Sequence, residues 1–224
     1  MATISVELGM NPQATGSASC TSHGVMVQAS VFGPLPLASG MDSNPLAGSL
    51  HFTSGGSIRD SPSVDAYVVQ AVESVVSSVV VLTDYPQSVF DIHLSTPCAV
   101  GSESGMDLSA PAIQAVVCAL LDAGVHMRSV PVAMTISQTE GETEGEPPRV
   151  TVAIDAVTSR VLYADMCGVV VGEDQQKLMD TAISSCLGAY QSLTQSLSSQ
   201  GKDVPGVAKE EKEVKGEKGD TAME

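Results

Sequence analysis

The sequence predicts an α+β fold in which mixed sheets carry packed helices. Three observations lead there: stretches with apolar residues at every second position, stretches with them at every third or fourth, and strands grouped before and after the helices instead of alternating with them. With 224 residues, 43% of them hydrophobic, the chain is long enough to bury a real core. One compact domain is expected over 1–200, followed by a tail over 201–224.

Taken in order, Gly16 to Cys20 and Val25 to Phe32 read as two strands around a turn at Ser22-His23-Gly24, because Val25, Val27, Ala29 and Val31 alternate with their neighbours. Gly33-Pro34 is expected to stop the second strand, and Leu35 to Pro45 reads as a loop before a short strand near Ser49 to Thr53. Ser61 as cap and Pro62 at the first helical position open a helix whose Val64, Val68, Ala71, Val72, Val75 and Val79 share one face. Valine is a poor helix former, so packing must hold this element. Asp84-Tyr85-Pro86 should end it, and Phe90, Ile92 and Leu94 alternate as a strand.

A polar loop over Pro97 to Gly105 then leads to a second helix, capped by Asp107 or Ser109, carrying Ala112, Ile113, Val116, Ala119 and Leu120, and ended by Gly124. Val130 to Ile136 alternates as a strand. Gln138 to Pro148 is an acidic loop with Glu140, Glu142, Glu144 and Glu146, whose alternation with flexible residues suits a solvated loop better than a cation site. Val150 to Ile154, a turn near Thr158-Ser159 and Val161 to Val171 supply further strands. The last helix spans Glu173 to Ser198, with Leu178, Ile183, Leu187, Tyr190, Leu193 and Leu197 on its inner face. Beyond Gly201 the composition turns to Lys, Glu and Gly, as in disordered tails.

Ten basic against 26 acidic residues give a net charge of −16, and Met1 to Ile58 contains no Lys or Arg. Phosphate backbones are bound by clustered cations, so this chain is not expected to bind nucleic acid strongly by itself. Arg59, Arg128, Arg149 and Arg160 are the candidates for touching RNA, and nothing in their spacing singles one out. Apolar stretches such as Val75 to Leu82 are too short for a bilayer, which needs about 20 residues. The N-terminus lacks the pattern of a secretory signal, so a soluble, intracellular protein is expected. Cys20, Cys98, Cys118, Cys167 and Cys186 lack CxxC spacing and read as reduced core thiols. His23, His51, His93 and His126 form no metal-ligand pattern with them. Neither His93 nor His126 is spaced to act as a base for Cys98.

Gly16-Ser17-Ala18 and the strand Val25 to Phe32 closing on Gly33-Pro34 resemble the opening hairpin of the RNase PH family. Tyr85-Pro86, leading into Val89 to Leu94, resembles that family's turn after its first helix. The most specific match is Ala119-Leu120-Leu121-Asp122-Ala123-Gly124-Val125-His126-Met127, similar to a helix end of the type Ala-Leu-x-Asp-Ala-Gly-Ile/Val-Pro-Met, with His126 where proline is usual. The likeness spans residues 14 to 198. It implies an RNase PH-like fold, of the ribosomal protein S5 domain 2-like class, in one domain.

In active members of the family a phosphate-binding arginine lies in a Gly-Thr-Arg motif at the start of the central helix. Counting back from Asp122-Ala123-Gly124, that motif falls on Met106-Asp107-Leu108, with leucine for arginine and an acid beside it. Active members also carry acids around an Asp-Met pair. Asp165-Met166 spells the pair and Asp155 fits the register, but Ser159 stands where an acid is expected, and Gln87 replaces an arginine that often follows the Tyr-Pro turn. The resemblance therefore implies no catalytic residue, no cofactor and no metal.

What it implies instead is a ring subunit of the eukaryotic RNA exosome, of an rRNA-processing type before an mRNA-transport type. Its partners would be other RNase PH-like subunits in a six-member ring, S1/KH cap proteins and a hydrolytic exosome nuclease. RNA would be met through the complex, in nucleus, nucleolus and cytoplasm, away from membranes. An active phosphorolytic exoribonuclease with Asp155 and Asp165 as its acids is the rival reading, and an unrelated acidic α+β scaffold is a third.

Overall fold

The computed structural model describes residues 4–36, 46–54, 62–99, 105–137, 148–168 and 173–199. Arg59, Ser61, the Glu140 to Glu146 run and the 201–224 tail lie outside them, as does the side chain of Cys98. The elements are β1 (Ser5–Leu8), β2 (Gly16–Ser22), β3 (Val25–Pro36), β4 (Ser49–Ser54), α1 (Pro62–Val79), β5 (Ser88–Ala99), α2 (Gly105–Asp122), β6 (Pro131–Ser137), β7 (Arg149–Asp155), β8 (Arg160–Cys167) and α3 (Glu173–Ser199). A 3-10 turn, Leu82–Asp84, joins α1 to β5.

Two sheets form, in the orders β1-β2-β3-β5-β4 and β6-β7-β8. All neighbours are antiparallel except β4 and β5, which are linked through α1 as a parallel pair requires. The mixed sheets and their helices are the fold class expected from the sequence.

Helix α2 packs against β2 and β3 of the larger sheet and β6 and β7 of the smaller one. Every residue from Leu108 to Leu120 is buried, including the polar Ser109 and Gln114. A helix apolar on all sides belongs inside a protein, and this one forms the middle layer. Alanines recur along it, which lets both sheets approach closely. Helix α1 lies beside α2 and reaches β4 and β8, with Val68, Ala71, Val72, Val75, Val76 and Val79 buried.

The motifs that carry the family resemblance meet in space. Asp122, at the end of α2, accepts a hydrogen bond from the Ser17 N–H at 3.0 Å. Gly16, next to it on β2, lies directly against the backbone of Ala119 and Ala123. Gly124 ends α2 at φ +70°, with its N–H bonded to the Leu121 carbonyl and the Val125 N–H to the Leu120 carbonyl. That pair of bonds is the Schellman closure for which glycine is favoured. At the other end of β2, His23 and Gly24 both have positive φ, at 51° and 79°, which is the conformation of a two-residue hairpin turn.

Several boundaries differ from the sequence reading. β3 continues through Gly33-Pro34, because the pairing skips those residues in a bulge between Phe32 and Leu35, where proline's missing N–H costs no ladder bond. α1 stops at Val79, before Asp84-Tyr85-Pro86. The following residues are taken by the chain after α2, with Val80 bridged to Met127 and the Val81 N–H bonded to the His126 carbonyl. β5 runs on to Ala99, opposite Val25, where a loop was expected. Asp107 and Ser109 sit inside α2 and do not cap it. β8 ends at Cys167, short of Val171.

On α3 the buried apolar residues are Leu178, Ala182, Cys186, Ala189, Leu193 and Leu197, whereas Leu187 is 39% exposed. Small residues at the contact rotate the buried stripe away from Leu187. Cys20, Cys118 and Cys186 are buried thiols as expected, but Cys167 is exposed. β1 was missed, although Ile4, Val6 and Leu8 alternate with Ser5 and Glu7.

The Gly16 contact makes a sharp prediction. A methyl group at this position would overlap backbone atoms of α2 that cannot move separately. Gly16→Ala should therefore lower stability by about 3 kcal/mol, read as a drop in the urea midpoint, while Gly188→Ala, with no heavy atom within 4 Å, should leave the midpoint in place or raise it.

Candidate functional site

The position at which the family resemblance places a phosphate-binding motif lies at the start of α2, which packs against β7. In this turn Leu108 is fully buried in the core, and the half-buried Asp107 lies along the neighbouring cleft. Arg149, the first residue of β7, donates from Nη1 to Asp107 Oδ2 at 2.5 Å. The two side chains keep only 21% and 26% exposure, so the guanidinium is held by a carboxylate inside the fold. Both line a cavity of about 930 Å³ between the start of α2, β6 and α3, whose wall also carries Thr135, Ser137, Ser184 and Ser192. Among the described residues the only other Lys or Arg side chains are Arg128, Arg160 and Lys177, all exposed. None of these three lines the cavity.

Asp165 lies on β8 opposite Thr151, two residue pairs from the Arg149–Cys167 pair. Its Oδ2 accepts hydrogen bonds from the Tyr67 hydroxyl of α1 and, at 3.3 Å, from the Tyr163 hydroxyl of its own strand. Its Oδ1 accepts from the Met166 N–H at 2.7 Å. Burial, and then the bond to Asp165, push the Tyr67 hydroxyl well above the usual tyrosine range, and burial likewise raises Tyr163. Both phenols therefore stay protonated as donors, and the carboxylate is clasped between α1 and β8.

Asp155 does different work. It ends β7 opposite Arg160 and is 7% exposed. Its carboxylate accepts from the Val157 N–H at 3.0 Å and the Thr158 hydroxyl at 2.6 Å, closing the β7–β8 turn, in which Ser159 takes φ 55°. Asp155 and Asp165 thus stand at opposite ends of the hairpin, roughly 15 Å apart along the ladder. The structure does not bring them to one scissile bond.

Gln87 is exposed with φ 54° in the turn before β5. His126, at the family's proline position, donates its backbone N–H to the Tyr85 hydroxyl at 3.0 Å and pairs through Nδ1 with Asp84. His93 packs edge-on against Phe32. No group of three His, Cys, Asp or Glu among the described residues could hold a metal. Sequence reasoning missed Tyr67 and Tyr163. Tyr67 stands between Ala66 and Val68 in sequence, and nothing but the α1–β8 contact marks it.

The model of the 3' exoribonuclease family, domain 1, known as RNase PH, matches residues 1–126. The chain belongs to the RNase PH family. No curated protein matches it. Solved structures of the RNase PH fold do, among them rice (Oryza sativa) Rrp46, with a TM-score of 0.72 at 19% identity over 89% of this chain and 94% of that one. An archaeal exosome core gives 0.62 at 15% identity over 88% and 87%. An Archaeoglobus fulgidus exosome with RNA bound to its active site gives 0.63 at 14% identity over 86% and 89%. At these identities the likeness establishes the RNase PH fold.

The clasp yields a measurable prediction. Tyr67→Phe removes a hydroxyl bonded to a carboxylate and should cost about 2 kcal/mol of stability in urea unfolding. A tyrosine whose folded pKa is raised contributes stability that is complete below its unfolded value, near pH 10, and is lost as pH rises above it. The wild type should therefore lose stability more steeply above that pH than Tyr67→Phe does.

Proposed function

We propose that this chain is a non-catalytic ring subunit of an RNA exosome, of the ribosomal RNA-processing protein 46 type. It supports 3'-to-5' RNA processing and degradation, including rRNA maturation and mRNA turnover, by assembly and by walling the RNA channel. Its companions in this reading are other RNase PH-like subunits in a six-member ring, S1/KH cap proteins and a hydrolytic nuclease, in nucleus, nucleolus and cytoplasm. The folded unit is 1–200, and 201–224 is a solvated tail.

One observation carries the non-catalytic reading: at the start of α2 the cleft meets Asp107, not a cation, and that acid holds the cleft's Arg149. Attack of orthophosphate on an RNA phosphodiester brings two anions together and needs positive charge to stabilise the transition state. A carboxylate there opposes that chemistry. The clasp on Asp165 and its separation from Asp155 argue the same way against the phosphorolytic alternative. Membership of the RNase PH family and the likeness to Rrp46 and the archaeal exosome cores support the ring reading.

The test is affinity capture of the full chain from its own cells, with mass spectrometry of the partners and RNA-decay assays with and without orthophosphate. The expected result is recovery of RNase PH-like subunits and S1/KH proteins, no nucleoside diphosphate release by the purified chain, and decay by the complex that is indifferent to Asp165→Asn. Diphosphate release by the chain alone, abolished by Asp165→Asn, would overturn it.

A further inference from the structure

We infer that the cavity between α2, β6 and α3 is the seat of this chain's own C-terminal segment, with the run Val204-Pro205-Gly206-Val207-Ala208 folded into it as an apolar plug. The inference stands independently of the ring reading and narrows its solvated tail to the residues after Lys209.

Polar groups along the cavity wall are already answered from within the fold. Arg149 is held by Asp107, Thr135 pairs with Thr151 across the ladder, and Ser22 pairs with the His23 ring. The Ser184 and Ser192 hydroxyls turn back to carbonyls of their own helix, Asp180 and Gly188, at 2.9 and 3.2 Å. The rest of the wall includes apolar surface from Val25, Ala110, Pro111, Met134, Ile136 and Ala189. Such a wall selects an occupant that brings hydrocarbon over one that brings negative charge.

Gly188 points to the same occupant. It lines the cavity from the middle of α3, and a Cβ built on it meets no heavy atom within 4 Å. Glycine is the weakest helix former apart from proline, and no neighbour in the described fold requires one here. A glycine that leaves helix backbone bare suits the close approach of another stretch of chain.

The residues that follow α3 start within reach of this seat. From Ser199, the end of the helix, the chain to Val204 can span about 17 Å. Going back along α3, Ser192 lies about 10 Å and Gly188 about 16 Å from that end. Pro205-Gly206 is the favoured central pair of a type II turn, which brings Val204 and Val207 within about 7 Å of each other as a compact knuckle. Lys202 and Lys209 bracket the run, and Asp107 is the one acid among the described residues of the wall. The stretch 138–147 also adjoins the cavity, at Ser137, but it carries four glutamates and no Val, Leu, Ile or Met, which suits neither the apolar wall nor Asp107.

The test is deuterium exchange on the full chain, comparing the wild type with two variants. Gly188→Phe fills the groove from an exposed position, and Val204→Ser/Val207→Ser leaves every residue of the described fold unchanged. In the wild type the amides of Val204, Gly206, Val207 and Ala208 should exchange at least tenfold more slowly than those of 212–224, after correction for local sequence. Both variants should abolish that difference. In the valine variant the amides of 134–137, on the cavity wall, should in turn exchange faster than in the wild type, a readout that holds even if Gly188→Phe perturbs the fold. Equal rates across 204–224 in the wild type, or no change over 134–137 in the valine variant, would overturn the plug. Protection that persists in a folded Gly188→Phe chain would move the segment to another surface and overturn the seat. Protection that fades on dilution would assign the plug to a second copy and overturn the intramolecular occupant.

Discussion

Everything in this molecule is hung on the closeness of α2 to β2. Gly16 has no side chain, so the strand can press onto the backbone of Ala119 and Ala123, and Asp122 then reaches the Ser17 amide. With α2 pinned there, its remaining faces are committed: α1 lies alongside, and the smaller sheet closes from the other side. A core built from alanine and valine tolerates little change in volume, because interiors pack as densely as organic crystals. The residues that make this contact are among those that carry the resemblance to the RNase PH family.

That is why so much of the fold was legible. Alternation over Val25 to Val31 and Phe90 to Leu94, the valine stripe of α1 and the glycine stop at Gly124 each report a local requirement that a sequence displays directly. What was misread depended on partners distant in the chain. The premature end of α1 is imposed by residues 126–128, and the passage of β3 through Gly33-Pro34 by its pairing with β5. The turned stripe of α3 follows from how closely small residues let that helix approach β6 and β7. No window of neighbouring residues contains these constraints.

The site was legible in part. Counting back from Asp122 located the turn at which the resemblance places a phosphate-binding motif, and in the structure Asp107 faces the cleft there while Leu108 faces the core. Asp155 and Asp165, the acids of the rival catalytic reading, are separated by their environments: one closes a turn, and the other holds α1 to β8. The tyrosines that define the second role are scattered in sequence, and a carboxylate held as a structural acceptor looks, in one dimension, the same as a carboxylate held for catalysis.

The Asp107–Arg149 pair has a bearing on how this lineage can change. Removing Asp107 would release one guanidinium into the cleft but supply no second cation. An arginine at position 108 would have to be buried where Leu108 now has no exposure at all, at a cost of several kcal/mol. Neither change alone makes an anion-binding turn, so selection acting one change at a time meets a barrier here. Affinity for phosphate in this cleft would need coordinated changes, since each of these two steps taken alone adds little or costs stability.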